Sequence, residues 1–335
     1  MISISELQNT MRDNEMIVRI LSEYINDHPR FLTSEMVHEL AAECNVTDDE
    51  AFRTLFAAAC GLDTADNRAH RMLERQYFTP GLHRLDPTPY REDAYAKTVK
   101  IPEVSFGKWE LCTHSYAPYE PFVCNHPVLT KGFREIPQIG YFAEEYCFPA
   151  VLENGIEWMT VTPNEVETMR EPIAKSRGNV LTLGLGLGYY AFHATQKAEV
   201  TRVVVVEKDP EVISLFKTYI LPQFPHKEKL HIVQADAFDY LNRSLKKEEF
   251  DFLFADLWHD ASDGLDLYLQ LKKYEKQAPE TEFSYWIEPS LLSVLRQMVF
   301  RRITDPNEPL RLRGVSPETL LSDDFLRTLD LKKQN

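Results

Sequence analysis

Five short apolar runs alternate with stretches of helical periodicity over residues 162–303, and this alternation constrains the fold more than any other feature. The runs read NVLTLG, RVVVVE, LHIVQAD, FDFLFAD and FSYWIE. Apolar strands that show no polar alternation and are separated by helices are typical of a parallel sheet covered on both faces. We therefore predict an α/β fold with a doubly wound, mostly parallel sheet.

The rest of the chain divides into three further segments. Residues 1–78 have helical periodicity, with a capping-box pattern at Thr47, and form a predicted helical N-terminal region. Residues 79–161 are rich in prolines, aromatics and short β-like runs and form a predicted β-rich connecting segment. Residues 162–303 hold the predicted sheet, and the tail 304–335 contains one predicted helix that starts near Ser316.

The helix that leads into the sheet also has a clear start signal. Thr162 is the expected N-cap, Pro163 fits the first helical position, and Glu165 stands at the third position. This is the pattern of a capping box, so we predict a helix that runs to about Lys175.

Charge and cysteine usage limit the partners that this chain can have. The formal net charge is −15, and residues 1–100 carry 11 basic against 17 acidic side chains. A small molecule is therefore favoured over nucleic acid as the binding partner, and a membrane partner is not expected. The helical N-terminal region is expected to pack on the rest of the chain or to pair two copies into a homodimer. Five cysteines at irregular spacing indicate reduced thiols and a cytoplasmic protein.

Glycines and acids follow the predicted strands at the positions where ligands bind in parallel sheets. Three glycines at alternate positions, Gly184, Gly186 and Gly188, follow the first strand, and Tyr189 opens the next helix. The later strand ends carry an acid or an acid-containing turn: Glu207, Asp236 with Ala237, and Asp256. An acid 21 residues after Gly186 is placed to accept hydrogen bonds from ribose hydroxyls. These positions predict a nucleoside-containing cofactor in a Rossmann-like sheet.

Two cofactors satisfy this pattern. NAD requires G-x-G-x-x-G/A, which GLGYYA matches. The segment 160–300 also resembles the class I S-adenosylmethionine-dependent methyltransferases, through VLTLGLGLG, VVVVEKDPEVI, QADAFDYL and FDFLFAD. Within that family it is most similar to the spermidine synthase-like branch. The resemblance implies that Glu207 binds the ribose, that Asp236 faces the adenine amine, and that Asp256 lies at the transferred group.

The chain departs from the spermidine synthase pattern in three places. The loop after the fourth strand reads DLWHDASDG, without the Asp-Pro that is usual there. Val166 and Glu167 stand where a Tyr-His pair is usual. The antiparallel strand pair that usually closes the methyltransferase sheet is not evident after FSYWIE.

The resemblance favours a methyltransferase that uses S-adenosylmethionine. Asp256 is the expected base or acceptor-orienting residue, and His259, in the same loop, is the rival base. Aminopropyl transfer, a non-catalytic S-adenosylmethionine-binding protein and an NAD-binding protein remain as alternatives. We assign no metal to the predicted catalytic site.

A second hypothesis concerns the segment CTHSYAPYEPFVCNH. If it forms a hairpin that turns around Tyr119, then Cys112, His114, Cys124 and His126 share one face and could hold zinc.

Overall fold

A computed structural model describes residues 4–304 and Leu329. The predicted tail helix that starts near Ser316 lies outside the described residues. No helix among residues 4–304 is both long enough and apolar enough to cross a bilayer.

The described chain alternates helices and strands throughout its second half. The helices, in chain order, are α1 (Ile4–Asp27), α2 (Ser34–Cys44), α3 (Asp48–Ala59), α4 (Arg68–Leu73), α5 (Thr79–Gly81), α6 (Thr88–Arg91), α7 (Ala94–Thr98), α8 (Pro163–Lys175), α9 (Tyr189–Gln196), α10 (Pro210–Leu215), α11 (Ala237–Ser244), α12 (Ala261–Leu271) and α13 (Glu288–Thr304). The strands are β1 (Leu82–Arg84), β2 (Val104–Phe106), β3 (Trp109–Tyr116), β4 (Phe122–Leu129), β5 (Glu135–Tyr141), β6 (Tyr146–Glu153), β7 (Ile156–Thr160), β8 (Gly178–Leu183), β9 (Val200–Glu207), β10 (Leu230–Gln234), β11 (Phe252–Ala255) and β12 (Glu282–Tyr285). Single π-helical turns extend α4 and α10, at Glu74–Phe78 and Phe216–Ile220.

The chain divides into two compact units. The first comprises residues 4–86, 116–146 and the described residues from Leu292 onward. The second comprises residues 87–115 and 147–291.

The first unit combines the N-terminal helices with a three-stranded sheet of order β1-β5-β4. Thr47 and Glu50 form the predicted capping box of α3, and α2 ends at Asn45 in a left-handed conformation. The core packs aromatic rings of α3 against the sheet, with the ring centroids of Phe52 and Tyr141 4.2 Å apart. A buried ion pair joins Glu135 of β5 to Arg296 of α13, with Nε and Oε1 2.5 Å apart.

The second unit contains a four-stranded sheet of order β2-β3-β6-β7, in which β2–β3 and β6–β7 pair antiparallel. This arrangement shows that the prediction of a β3–β4 hairpin is wrong. Cys112 and His114 lie on β3, whereas Cys124 and His126 lie on β4 in the sheet of the first unit. Over the described residues, no group of three or more His, Cys, Asp or Glu side chains is arranged to hold a metal ion. All five cysteines are free thiols.

The second unit also contains the predicted parallel sheet, in the order β10-β9-β8-β11-β12. All four strand pairs are parallel, so the predicted α/β fold is confirmed. The capping box at Thr162 starts α8, as predicted. No antiparallel strand pair follows β12 in the part of the chain that the structure describes.

The register of this sheet brings three strand ends side by side. Leu183 of β8 lies opposite Val206 of β9 on one side and Ala255 of β11 on the other. Gly184, Glu207 and Asp256 are the next residues on the three strands. The sheet therefore places the glycine loop between two of the predicted acids, at the edge where parallel sheets bind their ligands.

Candidate active site

The glycine loop after β8 needs glycine at all three alternate positions. Gly184, Gly186 and Gly188 have φ angles of +98°, +56° and +77°, a region that residues with a Cβ rarely adopt. The N–H of Gly188 donates to the carbonyl oxygen of Leu185 at 2.9 Å, and Gly188 is the N-cap of α9. The loop is therefore a tight turn that leads directly into a helix.

Packing within the protein explains two of these glycines. A Cβ on Gly184 would lie 1.9 Å from the carbonyl oxygen of Asp256, and one on Gly188 would lie 2.4 Å from the Phe216 ring. A Cβ on Gly186 would meet only the sulfur of Met159 at 3.0 Å and the nitrogen of Gly188 at 3.9 Å. Gly186 is thus the least crowded of the three glycines.

Glu207 is held beside this loop by backbone hydrogen bonds. Its Oε2 accepts from the N–H of Leu185 at 3.3 Å, and its Oε1 accepts from the N–H of Asp209 at 2.8 Å. Each carboxylate oxygen has two lone pairs, so each can accept a further hydrogen bond. The geometry suits a pair of vicinal hydroxyl groups.

Asp236 and Ala237 lie at the next strand end, after β10. Asp236 caps α11, because its Oδ1 accepts from the N–H of Phe238 at 2.9 Å and of Asp239 at 3.1 Å. Ala237 is buried. This turn has a complete structural role of its own, and its predicted adenine contact stays a prediction.

Asp256 follows β11 on the other side of the loop. Its N–H donates to the carbonyl oxygen of Leu183 at 2.9 Å. Its side chain is partly buried, and no group within residues 4–304 donates a hydrogen bond to its carboxylate. Burial raises the pKa of Asp256 to about 7. A carboxylate without internal partners at this position is available to a ligand.

Glu165 is a second partly buried carboxylate in this unit, at a position where the sequence pattern predicts only a helix-capping residue. Its Oε2 accepts from the N–H of Thr162 at 2.9 Å and from the hydroxyl of Thr160 at 3.3 Å. Burial raises the pKa of Glu165 to about 8, against the lowering effect of the Thr162 hydrogen bond and with a further rise from the charge of Asp256. The charge of Asp256 is thus one cause of the raised pKa of Glu165, a link that the sequence did not reveal.

His259, the rival base, forms a pair with Asp263. Nδ1 of His259 lies 2.9 Å from Oδ2 of Asp263, and the backbone N–H groups of His259 and Asp260 also donate to that carboxylate. Burial alone would raise the pKa of Asp263, but these hydrogen bonds outweigh it and lower the pKa. The ring of His259 meets Trp158 edge to face, with centroids 4.3 Å apart. Asp263 thus fixes the orientation of the imidazole, and the His259 side chain is exposed.

The two tyrosines that open α9 have different surroundings. Tyr190 is buried, stacks on Phe254 with ring centroids 4.2 Å apart, and shares a hydrogen bond with Ser176 at 2.6 Å. Tyr189 donates its hydroxyl to Asp93 at 3.3 Å. Tyr190 is therefore a core residue, whereas Tyr189 links the helix after the glycine loop to the segment that carries α7.

Trp258, also in the loop after β11, has a packing role. It is buried, and a Cβ on Gly264 would lie 2.6 Å from its ring. Gly264 therefore makes room for the indole under α12.

Residues 168–274 match the family model of the spermine/spermidine synthase domain. This segment is a spermidine synthase-like domain. The matched segment contains the glycine loop, Glu207 and Asp256, so the resemblance stated from the motifs is confirmed. The family is one of S-adenosylmethionine-related transferases with a Rossmann-like fold.

Known proteins are similar to this chain over part of their length. An uncharacterized protein of Methanocaldococcus jannaschii is 32% identical over 124 residues, which are 35% of this chain and 42% of that protein. The spermidine synthase of Thermotoga maritima is 16% identical, with a TM-score of 0.32 over 46% of this chain and 59% of its own. A spermidine synthase in complex with the transition state analogue AdoDATO is 16% identical, with a TM-score of 0.31 over 46% of this chain and 58% of its own. The chain thus spans less than two thirds of each of these proteins.

Proposed function

We propose that this protein transfers a methyl group from S-adenosylmethionine to an acceptor held at Asp256. The observation that carries the proposal is the contact between Glu207 and the N–H of Leu185, which joins the glycine loop to the acid at the end of the neighbouring strand. This arrangement fits a nucleoside whose ribose hydroxyls bind Glu207 and whose chain crosses Gly186.

The chemistry of the bound donor is an in-line displacement at a carbon on the sulfonium. The protein's contribution is to align the acceptor with that carbon and to exclude water. Asp256 lies at the adjacent strand end, where its carboxylate can accept a hydrogen bond from an amine or hydroxyl acceptor and take its proton.

Aminopropyl transfer is the second candidate, and the match to the spermine/spermidine synthase domain favours it. Three features of the chain support methyl transfer instead. The loop after β11 lacks Asp-Pro, and Val166, at one position of the usual Tyr-His pair, is buried. Glu167, at the other position, accepts a hydrogen bond from Tyr90 at 3.1 Å and pairs with Arg170.

Calorimetry with four ligands tests the proposal. S-adenosylmethionine and S-adenosylhomocysteine are expected to bind, and NAD is not. Binding of NAD alone would refute the proposal. Tighter binding of decarboxylated S-adenosylmethionine, with turnover only on an added polyamine, would establish aminopropyl transfer. Binding without turnover on any acceptor from a cell extract would support the non-catalytic alternative.

Glu207→Ala should weaken binding of S-adenosylhomocysteine by about 2–4 kcal/mol, because it removes two charge-assisted hydrogen bonds to the ribose. This corresponds to about a 30-fold to 1,000-fold rise in Kd. Glu199→Ala is the matched control, since Glu199 is exposed and lies in the turn directly before β9, at the end opposite to Glu207. Equal affinity in wild type and Glu207→Ala would show that Glu207 does not bind the ribose.

A further inference from the structure

A strap of chain, residues 87–100, is tied to the elements around the glycine loop. Near its start, the hydroxyl of Tyr90 donates to Oε1 of Glu167 on α8 at 3.1 Å. At its end, the N–H and the carbonyl oxygen of Lys100 both bond to the side-chain amide of Gln223, at 2.9 and 3.0 Å. The strap carries α6 and α7, and it is therefore fixed at both ends within the unit that contains the parallel sheet.

The middle of the strap places one hydroxyl group on the glycine loop. Tyr95 of α7 is buried, and its ring meets those of Tyr189 and Phe192 on α9, with ring centroids 5.4 Å apart in each pair. Its hydroxyl donates to the carbonyl oxygen of Leu187 at 2.7 Å. Leu187 directly precedes Gly188, so this hydrogen bond joins the strap to the loop itself.

The peptide group between Leu187 and Gly188 is thereby held at both of its polar ends. Tyr95 binds the carbonyl oxygen, and the N–H of the same peptide group donates to the carbonyl oxygen of Leu185 at 2.9 Å. The N–H of Leu185 in turn donates to Oε2 of Glu207 at 3.3 Å. A series of hydrogen bonds therefore runs from Tyr95 through the loop to the acid that is proposed to bind the ribose.

Asp93 fixes the position of Tyr95. It is the N-cap of α7, and its Oδ1 accepts from the N–H of Tyr95 at 2.8 Å and of Ala96 at 3.4 Å. The same carboxylate bonds to two side chains of α9, the hydroxyl of Tyr189 at 3.3 Å and Nε2 of His193 at 3.2 Å. An N-cap needs only the backbone contacts, so the contacts to α9 tie the start of α7 to the helix that follows the glycine loop.

Packing alone does not require the hydroxyl of Tyr95. Phenylalanine would keep both ring contacts with α9 and would bury no polar group. The glycines on both sides of Leu187 give the loop more conformational freedom than other residues would, so contacts from outside the loop are needed to order it. A buried hydrogen bond to the Leu187 carbonyl oxygen supplies such a contact.

We propose that Tyr95, held in place by Asp93, is a positioning residue that sets the glycine loop in its ligand-binding conformation. This inference rests on the proposed function and adds to its site a segment that precedes the matched domain. A loop that is ordered before the ligand arrives lowers the entropic cost of binding. Loss of the Tyr95 hydroxyl should therefore weaken ligand binding although no side chain at the strand ends has changed.

The test compares Tyr95→Phe with Tyr190→Phe. Tyr190 is the matched control because it is also buried, and its hydroxyl bonds to Ser176 and not to the loop. Each variant loses one buried hydrogen bond, so the two melting temperatures should agree within about 4 °C. In calorimetry, the Kd of S-adenosylhomocysteine should rise about tenfold in Tyr95→Phe and stay within about twofold of wild type in Tyr190→Phe. Equal affinities in the two variants would overturn the proposal.

Amide hydrogen exchange in the ligand-free protein tests the loop directly. The N–H of Gly188 should exchange about tenfold faster in Tyr95→Phe and at the wild-type rate in Tyr190→Phe, because only the first change frees the peptide group of Gly188. An unchanged rate in Tyr95→Phe would overturn the proposal even if the affinity falls. If S-adenosylhomocysteine fails to bind the wild type, the proposed function fails, and the exchange rate of Gly188 alone decides the role of Tyr95.

Asp93→Ala tests whether Asp93 acts through Tyr95. It should raise the Kd of S-adenosylhomocysteine about tenfold in the wild type but no more than about twofold in a protein that already carries Tyr95→Phe. Asn67→Ala is the control, since Asn67 caps α4 through the same two backbone positions, and its loss should leave the affinity unchanged. Additive effects of Asp93→Ala and Tyr95→Phe would overturn the role of Asp93.

Discussion

Asp256→Asn should stabilise the protein increasingly as the pH rises. Burial raises the pKa of Asp256 from 3.8 to about 7. In the unfolded chain this carboxyl ionises near pH 3.8, so folding opposes ionisation between pH 3.8 and about 7, and stability is lost over that window. The full difference corresponds to about 4 kcal/mol, of which about 3 kcal/mol falls between pH 5 and pH 8. Asparagine keeps the shape of the side chain and does not ionise.

Thermal unfolding at pH 5 and pH 8 measures the effect. For a unit of this size, 1 kcal/mol shifts the melting temperature by about 2–4 °C, so the advantage of Asp256→Asn should grow by about 6–12 °C between the two pH values. Asp239→Asn is the control, because Asp239 is exposed in the same unit, and its effect should be the same at both pH values within about 0.5 kcal/mol. A difference between Asp256→Asn and wild type that does not change with pH would refute the reasoning.

Two further substitutions test the architecture around the site. Gly184→Ala should destabilise the protein by several kcal/mol in thermal unfolding, because its Cβ would collide with a backbone carbonyl oxygen. Gly61→Ala is the control, since Gly61 has a similar φ but open space around it, and this change should cost about 1 kcal/mol. Equal losses of stability in the two variants would show that Gly184 does not lie against the carbonyl oxygen of Asp256. Asp263→Asn should cost about 1 kcal/mol at pH 7 and progressively less as the pH falls below 3.8, because the lowered pKa of Asp263 contributes its full stability only above that pH. Denaturant unfolding at both pH values checks the sign, and a larger cost at the lower pH would contradict it.

The parallel sheet could be predicted almost strand by strand because its signal is local. Runs such as the four valines Val203–Val206 are buried on both faces, and only a central parallel strand requires this. The capping boxes at Thr47 and Thr162 are equally local, since the N-cap and the third helical residue are fixed by the geometry of one helical turn. Each of these signals lies within a few residues of the structure that it determines.

Strand pairing in the β-rich segment was not predictable in the same way. β3 and β4 are consecutive strands separated by a short loop, which is the usual pattern of a hairpin. In the structure β3 pairs with β2 and lies next to β6, while β4 pairs with β5. The choice among several possible partners depends on packing far along the chain, and alternation within one strand carries no information about it.

The side chains that most suggest a ligand are those without a packing contact or hydrogen bond that explains their presence in the fold. The glycine pattern drew attention first, yet Gly184 and Gly188 are required by packing whatever ligand is bound. Asp236 and Glu207 both accept backbone hydrogen bonds, so their presence at strand ends also has a structural explanation. Asp256 accepts no hydrogen bond from the described residues, and burial makes its charge costly.

Glu165 adds a second charge at the same place, 91 positions earlier in the sequence, where the capping box gives it a sufficient local explanation. A glutamate caps a helix by accepting a hydrogen bond from one backbone N–H, and it can do so while exposed, as Glu50 does with the N–H of Thr47. Partial burial beside another unpaired carboxylate adds a cost to the folded state that capping does not require. Protonation removes that cost, so neutralising Asp256 should stabilise the folded protein, and most strongly at pH values above its raised pKa.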